Sequence, residues 1–160
     1  MIRVLIAGEG GQGVQLIAEV LAKAAYNLEK YSLYIPNFGV EQRGGVSLAF
    51  IQVSNHPIFY PKFAKADFAV IMCERAKQRI EPYLTEETKV ISDLDSSKIN
   101  FPQRVHNVFI LGLLLQKSGV IPINAVQETL EEVMHKKFIQ NPEIKKFNFE
   151  ALRAGFEFKE

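Results

Sequence analysis

Residues 2–14 read Ile2-Arg3-Val4-Leu5-Ile6-Ala7-Gly8-Glu9-Gly10-Gly11-Gln12-Gly13-Val14. A short, mostly apolar run passes into a cluster of glycines, and an apolar stripe follows at Val14, Ile17, Leu21 and Ala24. Residues 2–7 do not alternate polar with apolar, so they predict a strand buried on both faces. The stripe recurs at three and four, the spacing of one helix face, and predicts a helix over 14–25. Gln15, Glu19 and Lys23 fill the opposite face, with Glu19 four residues ahead of Lys23, the favourable order. A buried strand, a glycine turn and an amphipathic helix together open an α/β fold.

The rest of the chain extends that pattern. Residues 32–35 are a second strand candidate, stopped by Pro36, and 46–53 (VSLAFIQV) are the longest one. Residues 68–72 (FAVIM) and 89–92 supply two more, with a helix expected over 76–83 between them. Helices dominate later. One is expected over 108–117, ended by Gly119. Pro122 stands where a first helical residue is favoured, ahead of the stripe Ile123, Val126, Leu130, Val133 and Met134. Asn141-Pro142 reads as a cap and a first-turn proline, opening a last helix toward Phe158. The fold class is therefore α/β and Rossmann-like. It has a mostly parallel sheet with helices packed on it and a helix-rich C-terminal third. With 160 residues, at roughly 150 per domain, a single domain over 1–160 is expected.

Composition narrows the chemistry. Apolar residues make up 48% and charged residues 23%, which excludes a disordered or collagen-like chain. The formal net charge is +1, which gives no general reason to expect nucleic acid or a membrane surface as partner. There is one cysteine, Cys73. It cannot form an internal disulfide, and it cannot supply the roughly four thiolates of an iron–sulfur cluster. A buried, inert thiol is expected there. The three histidines are scattered, so no metal site is expected. The longest apolar run, 108–115, is far shorter than the roughly 18 residues of a membrane span. The early glycines interrupt any signal-peptide core, and a cytoplasmic location is expected. Five phenylalanines crowd the end (Phe138, Phe147, Phe149, Phe156 and Phe158), and two readings stay open: some dock on a partner, or all pack internally.

Gly8, Gly10, Gly11, Gln12 and Gly13 form a G-x-G-x-x-G loop between strand and helix. Glycines let a ligand approach the backbone, and the helix N-terminus offers free N–H groups to an anion. A dinucleotide site wants an acid about 20 residues on, at the end of the second strand. That strand ends Ile35-Pro36-Asn37, with no acid. No Gly-Lys-Ser/Thr follows, so a P-loop is excluded. Three readings of the loop stay open on residues alone: a tight turn and nothing more, a phosphate site, and a dinucleotide site. Glu9 would repel an incoming phosphate. A second constellation follows at residues 36–45, PNFGVEQRGG. In an extended segment Glu41 and Arg43 point the same way, and Arg suits a two-pronged grip on carboxylate or phosphate. Gly44 and Gly45 allow close approach just before a strand. A loop salt bridge is the plain alternative.

Taken together, G-x-G-G-Q-G-V at residues 8–14 and P-x-F-G-x-E-x-R-G-G at 36–45 resemble the gamma subunit of 2-oxoacid:ferredoxin oxidoreductases, the pyruvate, 2-oxoglutarate, 2-oxoisovalerate and indolepyruvate enzymes. The resemblance runs on through Ser47, Ala66-Asp67-Phe68, Asn107, Leu111-Gly112, Asn148, Ala151 and Gly155, nearly the whole chain. It implies a part in the coenzyme A-dependent oxidative decarboxylation of a 2-oxoacid, pyruvate or 2-oxoglutarate foremost, to acyl-CoA and carbon dioxide. The electrons would pass to ferredoxin. It implies alpha, beta and delta partner subunits that hold the thiamine diphosphate and iron–sulfur clusters, with no cofactor bound by this chain alone. It also implies that Gly8, Gly10, Gly11, Gln12, Gly13, Glu41, Arg43 and Gly44 face a site shared in the complex, near coenzyme A. No catalytic constellation is visible in the chain itself, so the isolated chain is expected to be inert. The alternatives are a free-standing nucleotide- or dinucleotide-binding module and a purely architectural subunit.

Overall fold

The computed structural model describes residues 1–38, 45–92 and 100–159. Strand β1 (Ile2–Glu9) leads through the glycine loop into helix α1 (Val14–Asn27). Strands β2 (Tyr31–Asn37), β3 (Val46–Ser54) and β4 (Phe68–Ile71) follow, then helix α2 (Glu74–Ile80) and strand β5 (Lys89–Ser92). Helices α3 (His106–Ser118), α4 (Ile123–Val133), α5 (His135–Gln140) and α6 (Pro142–Phe156) complete the described chain.

The strands lie in the order β2-β3-β1-β4-β5. β1, β4 and β5 are parallel neighbours, whereas β3 runs against both β1 and β2. Four strands thus point one way, and the expected mostly parallel sheet carries one reversed strand. The reversal has a simple cause. The chain between Asn37 and Val46 is shorter than the crossover of about a dozen residues that a parallel neighbour requires. β3 therefore folds back beside β2 and wedges between it and β1.

Both faces of the sheet are covered. Val4, Ile6, Ala49, Ile51 and Val70 join the larger core, built with residues of α1, α3, α4 and α6. Leu5, Ala7, Leu48, Phe50, Ala69 and Ile71 point the other way, into a smaller core with Ala76 and Ile80 of α2. This period of two with no polar face explains why β1 reads as an unbroken apolar run. Cys73 sits just before α2, partly buried against the smaller core.

Some local expectations shift. The helix expected over 76–83 begins at Glu74 and becomes a 3₁₀ turn over Glu81–Tyr83, where Pro82 sits without an N–H to continue the helix. Pro122 precedes α4 as its N-cap rather than occupying its first position. α5 was not anticipated; Met134 breaks the long stripe and starts a second, six-residue helix. Asn141 behaves as read: its side-chain oxygen accepts from the Ile144 N–H at 3.4 Å, and Pro142 opens α6. The terminal phenylalanines pack inward. Phe138 is buried against Phe149, and Phe158 stands edge-on to Phe109. The exposed aromatics among the described residues are elsewhere, at Tyr26, Tyr31, Phe38, Phe59 and Tyr60.

Candidate functional site

The glycine loop sits at the carboxyl end of β1, where an open α/β sheet places its ligands. Gly13 ends it in the left-handed region (φ 78) and caps α1, with no side chain accepting from the helix and no acid in the first turn. The first-turn N–H groups of α1 have no helical partners, and their end of the helix carries a partial positive charge. The loop is cross-braced by Gln12. Its Oε1 accepts from the Glu9 N–H at 2.7 Å, and its Nε2 donates to the Met72 carbonyl at the end of β4 at 3.1 Å. The Glu9 carboxylate is drawn off toward Arg75 of α2 at 3.8 Å. The repulsion that Glu9 raised on sequence is thereby reduced.

A cleft of about 600 Å³ opens over this loop. Gly10, Gly11, Gln12 and Gly13 form one wall; Arg104, His106, Asn107 and Lys137 form another. No carboxylate lines it among the described residues. The Arg104 guanidinium carbon lies 5.7 Å from the centre of the Phe147 ring, a cation–π contact. His106 donates through Nε2 to the Phe101 carbonyl at 2.9 Å, so its ring serves to anchor the start of α3. Asn107 is 7% exposed, and its side chain makes no hydrogen bond with the described residues. A buried amide left unpaired is disfavoured by about 1–3 kcal/mol, unless something beyond the described residues satisfies it. Its Nδ2 lies directly over Gly13: a Cβ on Gly13 would stand 2.2 Å from it.

Of the residues singled out on sequence, Gly10, Gly11, Gln12 and Gly13 thus line one cleft. Gly8 lies beneath them in β1, packed where a Cβ would meet Gln12, Val14 and Met72. Glu41, Arg43 and Gly44 lie outside the described residues. Sequence reading missed Arg104 and Lys137. Arg104 lies in the 3₁₀ turn Gln103–Val105 ahead of α3 and Lys137 in α5; only the fold brings them to the loop. Asn107 stands among the residues that carry the resemblance.

Gln15, in the first turn of α1, donates through Nε2 to Ser47 Oγ at 2.7 Å and to the Leu48 carbonyl at 2.9 Å. Its Oε1 accepts from the Tyr34 hydroxyl. Burial, and after it the Glu19 carboxylate, push the Tyr34 phenol above its ordinary range. The hydroxyl therefore remains a donor through neutral pH.

Comparison with known proteins identifies the family. Residues 3–104 match the family model described as pyruvate ferredoxin/flavodoxin oxidoreductase. The chain is 29% identical to pyruvate synthase subunit PorC of Methanothermobacter marburgensis, over 98% of this chain and 97% of that one. It is 31% identical to 2-oxoglutarate synthase subunit KorC of Archaeoglobus fulgidus, over 98% and 87%. The fold matches that of 2-oxoglutarate:ferredoxin oxidoreductase from Magnetococcus marinus, solved with 2-oxoglutarate, coenzyme A and succinyl-CoA bound. The TM-score is 0.80 at 18% identity, over 96% of this chain and 30% of that much longer one. By the family model it matches and its likeness to these relatives, the chain belongs to the pyruvate ferredoxin/flavodoxin oxidoreductase family, among its gamma subunits.

Proposed function

We propose that the chain works as one folded domain, the gamma subunit of a cytoplasmic, multi-subunit 2-oxoacid:ferredoxin oxidoreductase, and turns over substrate only in that assembly. The observation that carries this is the end-to-end likeness to gamma-type subunits, with nearly the full length of both chains aligned. In the assembly, a 2-oxoacid and coenzyme A yield acyl-CoA, carbon dioxide and two electrons for ferredoxin. Thiamine diphosphate supplies the carbanion chemistry and iron–sulfur clusters the electron path, both held by alpha, beta and delta partners. No helix among the described residues is long and apolar enough to cross a membrane.

This chain's own contribution is the cleft. Coenzyme A carries phosphate groups, and three features suit a phosphate there. The uncapped end of α1 offers N–H groups, Arg104 and Lys137 supply positive charge, and the unpaired Asn107 amide supplies a buried donor. Gly8, Gly10, Gly11, Gln12 and Gly13 shape that receptor. Glu41, Arg43 and Gly44 of the second motif, which lie outside the described residues, are assigned to the same function by the resemblance alone.

Affinity purification of the tagged chain from its native cells tests the assembly. Thiamine diphosphate-binding and cluster-bearing subunits should co-purify, with coenzyme A-dependent 2-oxoacid oxidation in the complex and none in the isolated chain. A lone, monomeric chain would defeat the proposal. Assays of the complex with pyruvate and 2-oxoglutarate identify the substrate.

A further inference from the structure

We infer that Gln12 is a positioning residue whose side-chain amide serves the sheet rather than the ligand: it is inserted between the ends of β1 and β4 and holds the glycine loop in shape as a receptor. The inference rests on the proposal that the cleft over this loop receives an anionic group of coenzyme A. β1 and β4 are parallel neighbours as far as the pair Ala7–Ile71, and the Met72 N–H adds a bond to the Ala7 carbonyl at 2.8 Å. Continued by one step, such a ladder would join the Glu9 N–H to the Met72 carbonyl. The Gln12 amide stands between those two groups instead. Its Oε1 accepts from the Glu9 N–H at 2.7 Å, and its Nε2 donates to the Met72 carbonyl at 3.1 Å. A primary amide carries an acceptor and a donor side by side, which is what this insertion needs.

The same residue closes the loop. The Gln12 N–H donates to the Glu9 carbonyl at 3.1 Å, which makes Glu9 to Gln12 a four-residue turn with Gly11 (φ 95) at its third position. Gln12 thus satisfies both backbone groups of Glu9, one with its main chain and one with its side chain. Gly8 makes room for the amide, since a Cβ there would stand 2.7 Å from Gln12 Oε1. With both ends of the amide engaged inside the chain, an anion is left to the backbone N–H groups of the loop and of the helix behind it. The anchorage of α1 does not depend on this amide, because Val14, Ile17, Ala18, Val20 and Leu21 are buried in the larger core. Removing it should therefore displace the loop more than it unfolds the helix, and small displacements at a binding site are costly.

The test uses the purified complex carrying gamma-chain variants Gln12→Leu, Gln12→Glu and the pair Arg104→Gln/Lys137→Gln. Subunit composition, hydrogen exchange of the Glu9 N–H without coenzyme A, kcat and the KM for coenzyme A are measured on each. Gln12→Leu should speed that exchange about tenfold before any ligand is added. It should also raise the KM about tenfold, more than it lowers kcat. Gln12→Glu keeps the acceptor for Glu9 but, while ionised, has no donor for Met72; protonation of the introduced carboxyl restores one. Its KM relative to the parent should therefore fall as the pH is lowered from about 8 to about 6. The ratio cancels the titration of His106, Arg104 and Lys137 across the cleft and of the Glu9–Arg75 pair, which both complexes share. Should Gln12→Leu fail to assemble, Gln12→Glu decides alone, since a ratio independent of pH overturns the inference. A raised KM with unaltered exchange would show that the side chain meets the ligand itself, and the inference falls. Faster exchange with an unchanged KM would leave Gln12 a structural tie only, and the inference again falls alone. If Arg104→Gln/Lys137→Gln leaves the KM unchanged in an assembled complex, the cleft proposal fails and takes this inference with it.

Discussion

Gly10 has no reason within the described chain to be glycine. Its φ is not positive, and a Cβ built on it meets nothing within 4 Å. Gly13 is the opposite case, with φ 78 and a Cβ that would overlap Asn107 Nδ2 at 2.2 Å. The fold itself therefore requires Gly13, and the open space at Gly10 is where a ligand's close approach would require glycine. Gly13→Ala should lose about 2 kcal/mol or more of stability, from the left-handed backbone and the overlap. Gly10→Ala should stay within about 0.5 kcal/mol in the same denaturant melts, yet weaken coenzyme A binding to the complex. Equal losses at both positions would show that the turn alone explains the motif. The glycines were legible in sequence because spacing between a strand and a helix marks them. Their separate duties were not, since those depend on Asn107, far along the chain, folding back over Gly13.

Helix α3 delivers Asn107, and its seat is fixed by a tight crossing with α6. A Cβ on Gly155 would stand 1.9 Å from the Phe109 carbonyl oxygen, and one on Gly112 would stand 2.1 Å from that of Leu152. The two backbones touch, so the glycines act as mutual notches. In an isolated helix, glycine to alanine gains about 1 kcal/mol. Here the overlap must push the helices apart, and overpacking of this kind typically loses about 1–3 kcal/mol. Gly155→Ala should therefore destabilise by about 2 kcal/mol net in thermal melts. It should also raise the KM for coenzyme A, because α3 begins at the cleft. A stabilised Gly155→Ala would mean that the crossing is looser than described. At this scale the sequence was informative where local chemistry governs. Asn141-Pro142 marks the start of α6, and apolar periodicity marks α1. It was silent where tertiary competition decides. The reversal of β3 follows from a short connection seeking the nearest edge, and α5 from a break at Met134 inside a continuous stripe. Neither leaves a periodic signal.

Across the whole molecule the formal charge is nearly neutral at +1, which on sequence argued against any general attraction for polyanions. The fold distributes that charge unevenly. Arg104 and Lys137 meet at the cleft with the positive end of α1, and no carboxylate among the described residues lines it. A local field of this kind attracts one anionic group without making the surface basic. Counter-ions screen it. The Debye length falls from about 30 Å at 0.01 M salt to about 8 Å at 0.15 M. The KM of the complex for coenzyme A should therefore rise severalfold over that range, while the KM for the 2-oxoacid, bound elsewhere in the proposed assembly, should change less. Replacing both Arg104 and Lys137 by glutamine should raise the low-salt KM for coenzyme A and flatten its salt dependence. The partner subunits contribute their own charges, so the informative quantity is the difference in slope between the parent complex and the variant. An unchanged slope, with the variant correctly assembled, would place the anion outside this cleft and leave Arg104 and Lys137 as ordinary surface cations.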